Sequence, residues 1–230
     1  MLKTNLLNPI RIIETVDILE KRISDRFPDS GLRAVCSQLL EIAHKTKNNI
    51  DYVSKPNILL RLFAGCVILC GFIGIIYSLT IVKIDTEDTS LQHYLALSEG
   101  IFNNLILISG ALFFLVTIES KIKRKRSLQS LHELRVICHV IDMHQLNKDP
   151  YIFVNEQKTT HSPKRNYTKF ELQRYLDYCS ETSALVAKVA ALYAQSIPDE
   201  IVISSVNEIE VLTTGLSRKV WQKIRVLQDI

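Results

Sequence analysis

The sequence predicts an all-α protein built around two membrane-length apolar runs. Residues 62–82 pass without a charge and are closed by Lys83, and residues 101–118 do the same and are closed by Glu119. Elsewhere the apolar residues recur at helical spacing and never alternate as a strand would. An uncharged stretch of about 20 residues is long enough to cross a hydrocarbon layer ~30 Å thick as a helix. A helix also satisfies its own backbone N–H and C=O groups, as lipid demands. The expected organisation is N-terminal helices over 1–56, a transmembrane hairpin over 57–119, and a cytosolic helical domain over 120–230.

The N-terminal segment reads as two amphipathic helices. Asn8-Pro9 supplies an N-cap and a first-turn proline, and Ile10, Ile13, Val16 and Leu19 follow at helical spacing. The string Phe27-Pro28-Asp29-Ser30-Gly31 is a turn. A second helix is expected over 32–47, with Val35, Leu39, Leu40, Ile42 and Ala43 as its apolar face. Two such helices bury little by themselves. They require the C-terminal domain, another subunit or the membrane surface as a partner.

Beyond the second run, the basic stretch 121–126 leads into a helix whose apolar face is Leu128, Leu131, Leu134, Cys138 and Ile141. Asn147-Lys148-Asp149-Pro150 ends it. Residues 151–167 read as a loop with a short apolar patch. Thr168 and Glu171 form a capping box that opens a helix to about Gln195. Ser196-Ile197-Pro198-Asp199 breaks that helix and starts the last one, which Gly215 is expected to interrupt.

Charge orients the chain. The net charge of +4 divides into +3 over 1–61, −4 over 62–119 and +5 over 120–230. Lys45, Lys47, Lys55 and Arg61 precede the first run, while Asp85, Glu87 and Asp88 stand in the loop between the two. Loops rich in Lys and Arg stay in the cytoplasm, so both termini are expected on the cytoplasmic side of a bacterial inner membrane. No cleavable signal is expected, because the first apolar run starts some sixty residues in. The five cysteines are scattered, two of them inside the first run, which fits reduced thiols rather than a disulfide framework.

Four features carry chemistry. Cys66, Cys70, Gly74 and Ser78 recur every four residues in the first run, and Ala64, Gly71 and Ser78 every seven. Small residues at these spacings let helix backbones approach closely, either between subunits or against the second run. On the second run Glu99, Asn103, Gly110 and Thr117 share a face, and a polar stripe on a lipid-facing helix is costly unless it meets protein or water. In an oligomer such stripes line an aqueous path, and the acidic loop at its mouth favours cations. Alternatively, Asn103 and Asn104 sit among headgroups.

The third feature is the cluster His132, Glu133, His139, Asp142 and His144, in which His132, His139 and Asp142 lie within helical reach of one another and would suit a metal ion. Their spacing matches no zinc or di-iron helix motif, so a polar face with His139 hydrogen-bonded to Asp142 is the competing expectation. The fourth is cationic and aromatic: Lys164 and Arg165 beside Tyr167, and Arg218, Lys219 and Lys223 around Trp221. Phosphate contacts plus stacking at these positions would hold a nucleotide or single-stranded nucleic acid. No catalytic motif is present, no nucleophile is expected, and no cofactor is implied.

Two cytoplasm-flanked spans followed by a helical domain resemble the small membrane effectors of bacterial anti-phage operons. The layout is similar to the channel subunit of the Hailong type, and the likeness rests on 62–82, 101–118, the basic exit 121–126 and the helical segment 128–230. The resemblance implies a homo-oligomeric channel controlled by a nucleic-acid signal from a partner nucleotidyltransferase, whose opening stops host growth. It assigns no site residue. A non-conducting membrane-anchored scaffold or sensor is the alternative that the same layout permits.

Overall fold

A computed structural model describes residues 6–81, 91–153, 160–161 and 167–229. The elements are α1 (Pro9–Arg26), α2 (Gly31–Ser54), α3 (Ile58–Ile81), α4 (Leu91–Leu146), a 3₁₀ turn (Pro150–Phe153), α5 (Lys169–Ser196) and α6 (Glu200–Asp229). No strand occurs among the described residues. The chain forms two compact units, one from residues 1–54 and 124–230 and one from residues 55–123.

In the first unit α5 is central and packs against α1, α2 and α6. The N-terminal helices thus find their partner within the chain. Asn8 caps α1 by accepting from the Ile10 N–H at 2.9 Å, and the following proline needs no partner for the N–H it lacks. The buried face of α1 is Ile12, Val16, Leu19 and Ile23, a turn of the set expected from sequence that leaves Ile10 exposed. The second helix runs past 47 to Ser54. Thr46, Ile50 and Val53 continue its buried face, and the stop comes only before Pro56.

Polar ties reach α5 from the N-terminal segment. The Leu7 N–H donates to Gln195 Oε1 at 2.8 Å, and Gln195 Nε2 donates to the Leu7 carbonyl at 3.3 Å. Arg22 forks onto both oxygens of Glu181, at 2.8 and 3.3 Å. Tyr193, fully buried, donates its hydroxyl toward Thr46 Oγ1 at 3.4 Å. The capping box forms as the sequence predicts: the Glu171 N–H donates to Thr168 Oγ1 at 3.2 Å, and the Thr168 N–H donates to the Glu171 carboxylate at 2.7 Å.

Leu131, Leu134, Ile137, Cys138 and Ile141 bring the C-terminal part of α4 into the same core. That part is tied to α6 by Arg124–Asp199 at 2.8 Å, Arg135–Glu208, Asp142–Lys219 at 3.2 Å and Lys223 on the Gln145 carbonyl. Residue numbers rise together along both helices, so this stretch of α4 runs parallel to α6. Asp199 also accepts from the Ile201 and Val202 N–H groups, which starts α6 where the sequence predicts. Gly215 does not interrupt that helix: α6 continues through it to Asp229.

The two glycines of this unit take opposite substitutions. A Cβ on Gly31 would fall 2.1 Å from His144 Cε1, whereas one on Gly215 meets nothing within 4 Å. Gly31→Ala is expected to cost about 1–3 kcal/mol by overpacking. Gly215→Ala is expected to add roughly 0.5–1 kcal/mol of helix stability. Thermal unfolding of the two variants should move the midpoint in opposite directions.

His144 adds a pH term. Burial, and then the nearby charge of Lys148, hold its imidazole below the ordinary value of 6.5. The unfolded chain therefore takes up a proton near pH 6.5 while the folded chain still resists it. Stability is expected to fall as pH drops through 6.5 and to level off below the folded value. A His144→Gln chain, melted at pH 7.5 and at pH 5.5, should lose less across that interval than the unsubstituted one.

In the second unit α3 and the N-terminal part of α4 are long and apolar enough to cross a membrane, and the apolar stretch of neither is buried inside the protein. Leu59 is 79 % exposed and Phe113 76 % exposed. A buried core hairpin of a soluble protein would hide these residues; here they form the surface. The ends meet where the Asn57 N–H donates to Glu119 at 3.2 Å, and Lys123 donates to the Lys55 carbonyl at 3.0 Å.

Candidate functional site

Contacts within the second unit divide the small residues of α3 into two sets. Gly71 lies so close to Ile108 that a Cβ would stand 2.4 Å from Ile108 Cδ1, and the same atom on Gly74 would stand 4.0 Å from Asn104 Nδ2. Ala64 and Gly71 of the seven-residue series and Gly74 of the four-residue series fall on the partly covered side of α3, and Gly71 and Gly74 are the ones that approach α4. Cys66 and Cys70 are exposed on the other side. The side chain of Ser78 lies outside the described residues.

The same packing sorts α4. Asn104, Ile108 and Leu115 belong to the covered side, and Leu115 is buried. Glu99, Asn103 and Gly110 are exposed, and a Cβ on Gly110 would meet nothing within 4 Å. Thr117 is partly covered and donates its hydroxyl to the Phe113 carbonyl at 2.7 Å, so its polarity is spent within the helix. Asn103 has no such outlet: among the described residues its amide makes no hydrogen bond. A primary amide left bare beside Phe102 and Ile106 is a strong demand for water or protein. Asp85, Glu87 and Asp88 lie outside the described residues.

In the first unit, α4 and α6 enclose a cleft of about 200 Å³. Cys138, His139 and Asp142 line one wall, and Val211, Gly215 and Lys219 stand on the other. The cleft joins two groups of residues that the sequence presented separately, His139 with Asp142 and the cation Lys219. Burial works to raise the Asp142 carboxyl, but hydrogen bonds from Gln145 (2.6 Å) and Lys219 (3.2 Å), with the charges of Lys219 and His139, hold it below its ordinary value. The Lys219–Asp142 clasp is therefore an ion pair at neutral pH.

The hydrogen bond expected from His139 to Asp142 is replaced by these two donors, which leave Asp142 committed to Lys219 and Gln145. His132 and His139 are exposed on α4. Among the described residues no group of three or more His, Cys, Asp or Glu side chains is placed to hold a metal ion.

Trp221 and its cations separate in the same way. Lys219 and Lys223 turn toward α4, and Lys223 is lowered from its ordinary value by burial. Trp221 instead lines a groove of about 350 Å³ between α5 and α6, opposite Asp177 and Glu181. Arg218 is exposed. The four residues do not converge on one ligand position, and Lys164 and Arg165 lie outside the described residues. Tyr167 packs edge-on to Phe27 at 5.5 Å and beneath Lys148 Nζ at 4.2 Å, a structural role.

Sequence reasoning missed a cationic cluster around Tyr178. Arg22 and Arg174 lie over its ring at 5.3 and 4.9 Å, and Arg26 lies over Phe170 at 5.3 Å. Burial would raise the Tyr178 phenol, yet hydrogen bonds from Arg174 and Arg26 outweigh it and lower it. The cluster combines α1 with α5, more than 140 positions apart in sequence, so no local motif announces it. Burial pushes the Cys36 and Cys179 thiols up to about 12 and Cys138 to about 11, so none is a thiolate near neutral pH.

Comparison of the chain with protein-family models, with curated proteins and with solved structures finds no match.

Proposed function

We propose that this chain is a homo-oligomeric channel of the bacterial inner membrane, gated through its cytosolic helices. On this reading α3 and α4 cross the bilayer as a hairpin with both termini in the cytoplasm. The observation that carries it is the uncovered polar face of α4. Glu99 and Asn103 stand exposed on a helix whose other outward positions include Phe102, Leu105, Ile106, Phe113 and Phe114. The neighbouring α3 already occupies the Asn104–Ile108 side, and among the described residues of one protomer Asn103 has no hydrogen-bond partner. Several copies that turn this face inward would supply both the cover and an aqueous path.

The gating element on this reading is the stretch of α4 that leaves the membrane and continues to Leu146. The Asp142–Lys219 clasp is one of the ties that hold it to α6. A nucleotide or single-stranded nucleic acid that drew Lys219 onto its phosphate would release that tie. Such a ligand fits the resemblance to anti-phage effectors, in which a partner nucleotidyltransferase makes the signal.

Planar-bilayer recording of the purified chain tests the proposal. Conductance steps that depend on cytosolic ligand support it, and a silent bilayer with inserted protein overturns it. Replacing the hairpin by an unrelated one should abolish function. If function survives the exchange, the chain is a membrane-anchored scaffold rather than a channel.

A further inference from the structure

A third recess, apart from the cleft and the groove described above, lies between α2 and α4 and encloses about 420 Å³. Its lining is polar throughout: Lys45, Asn48 and Asn49 come from α2, and Arg126, Gln129, Ser130 and Glu133 come from α4. Asn49 Nδ2 donates to Ser130 Oγ at 3.0 Å, which fixes the floor. Asn48 and Gln129 are exposed at the rim, and among the described residues their amides make no hydrogen bond.

The distinctive member is Arg126. In the basic run 121–126, Lys123 is paired with Glu119 at 2.8 Å and Arg124 with Asp199 at 2.8 Å. Arg126 has no carboxylate partner among the described residues. Its guanidinium is held over the Tyr52 ring at 4.2 Å, which fixes its position without neutralising it. A pre-positioned guanidinium with no carboxylate partner among the described residues, beside two free amides and a lysine that Glu41 pairs at 2.9 Å, matches a tetrahedral oxyanion, because the fork offers paired donors to two oxygens.

We propose that this recess holds the phosphodiester of a glycerophospholipid headgroup from the cytoplasmic leaflet. Arg126 supplies the cation, Asn48 and Gln129 donate to the remaining phosphate oxygens, and Glu133 accepts from the headgroup's terminal hydroxyl or ammonium. The choice of a lipid rather than a free phosphate rests on the membrane reading above. Along α4, Arg126 follows the end of the apolar run at residue 118 by about two turns, roughly 12 Å.

The test is native mass spectrometry of the full chain, released from detergent after incubation with defined amounts of phosphatidylglycerol or phosphatidylethanolamine. The intact protein is expected to keep one lipid per protomer. Arg126→Gln should weaken that retention roughly ten- to a hundred-fold, as loss of a charge-assisted pair does. Arg126→Lys should restore part of it. Lys125→Gln, from the same basic run but outside the recess, should leave it unchanged. Equal retention by all four chains overturns the proposal, and so does competition by soluble glycerophosphoglycerol in the absence of any lipid retention. Failure here with the protein still inserted in membranes would sink only the headgroup site. A chain that stays soluble without detergent would remove the membrane reading itself.

Discussion

On the proposed channel reading, Asn103→Leu is expected to reduce single-channel conductance severalfold or to abolish it, while leaving the protein folded and in the membrane. Asn103 is exposed on the side of α4 turned away from α3, and its amide has no partner among the described residues. Replacing it with an apolar side chain of similar size removes the group that would keep this section of a path hydrated. A ring of leucines there would close by dewetting. The adjacent Asn104→Leu is the informative contrast, because Asn104 faces Gly74 of the same protomer. That change should alter α3–α4 packing and insertion rather than conductance. Glu99→Gln should leave conductance in place and reduce preference for cations, as loss of one acidic group per subunit at the mouth does. Unchanged conductance in Asn103→Leu would show that this face looks onto lipid or headgroups.

Local signals in the sequence were legible almost to the residue. Asn8-Pro9, the capping box at Thr168 and the Asp199 start of α6 are set by side chains that act on their own neighbouring backbone, so they need no knowledge of the fold. The charge-free runs were equally plain. Gly215 misled, because an isolated glycine costs a helix only about 1 kcal/mol and the packing of Thr213, Leu216 and Val220 overrides it. The second helix was expected to stop too early, since Asn48 and Asn49 resemble a break until Ile50 and Val53 are seen to continue the buried face. What could not be read was pairing across distance. The partner of α1 and α2, the clasp of Lys219 on Asp142, the separation of Trp221 from its cations and the arginines around Tyr178 each depend on which helices adjoin. One residue's periodicity says nothing of that. The packing face of α3 had the same origin: both series were visible, and only the positions of Ile108 and Asn104 show that Gly71 of one and Gly74 of the other meet α4.

Tyr193→Ala is expected to be the most damaging single change to the first unit. Tyr193 is the largest of the fully buried side chains, and it lies on α5 with its hydroxyl toward Thr46 of α2. Truncating a large buried aromatic costs about 3–5 kcal/mol in lost transfer energy and cavity. For a unit of this size that corresponds to a fall of roughly 6–20 °C in Tm. Tyr193→Phe separates the two contributions, because the ring stays and only a 3.4 Å hydrogen bond is lost, a change of about 1 kcal/mol. The chain carries one tryptophan, Trp221, on the α5–α6 groove, and its fluorescence reports unfolding of this unit in the full-length, detergent-solubilised protein. A Tyr193→Ala loss below about 1 kcal/mol would mean that α2 does not rest on α5 as described, since a well-packed site cannot lose an aromatic ring so cheaply. A large loss also bears on gating. If the N-terminal helices and α5 share one core, a ligand that stabilises that core must act on the C-terminal part of α4 as well, because Leu134, Ile137 and Ile141 are buried in it. The same substitution should then weaken any ligand-dependent response even at temperatures where the protein remains folded.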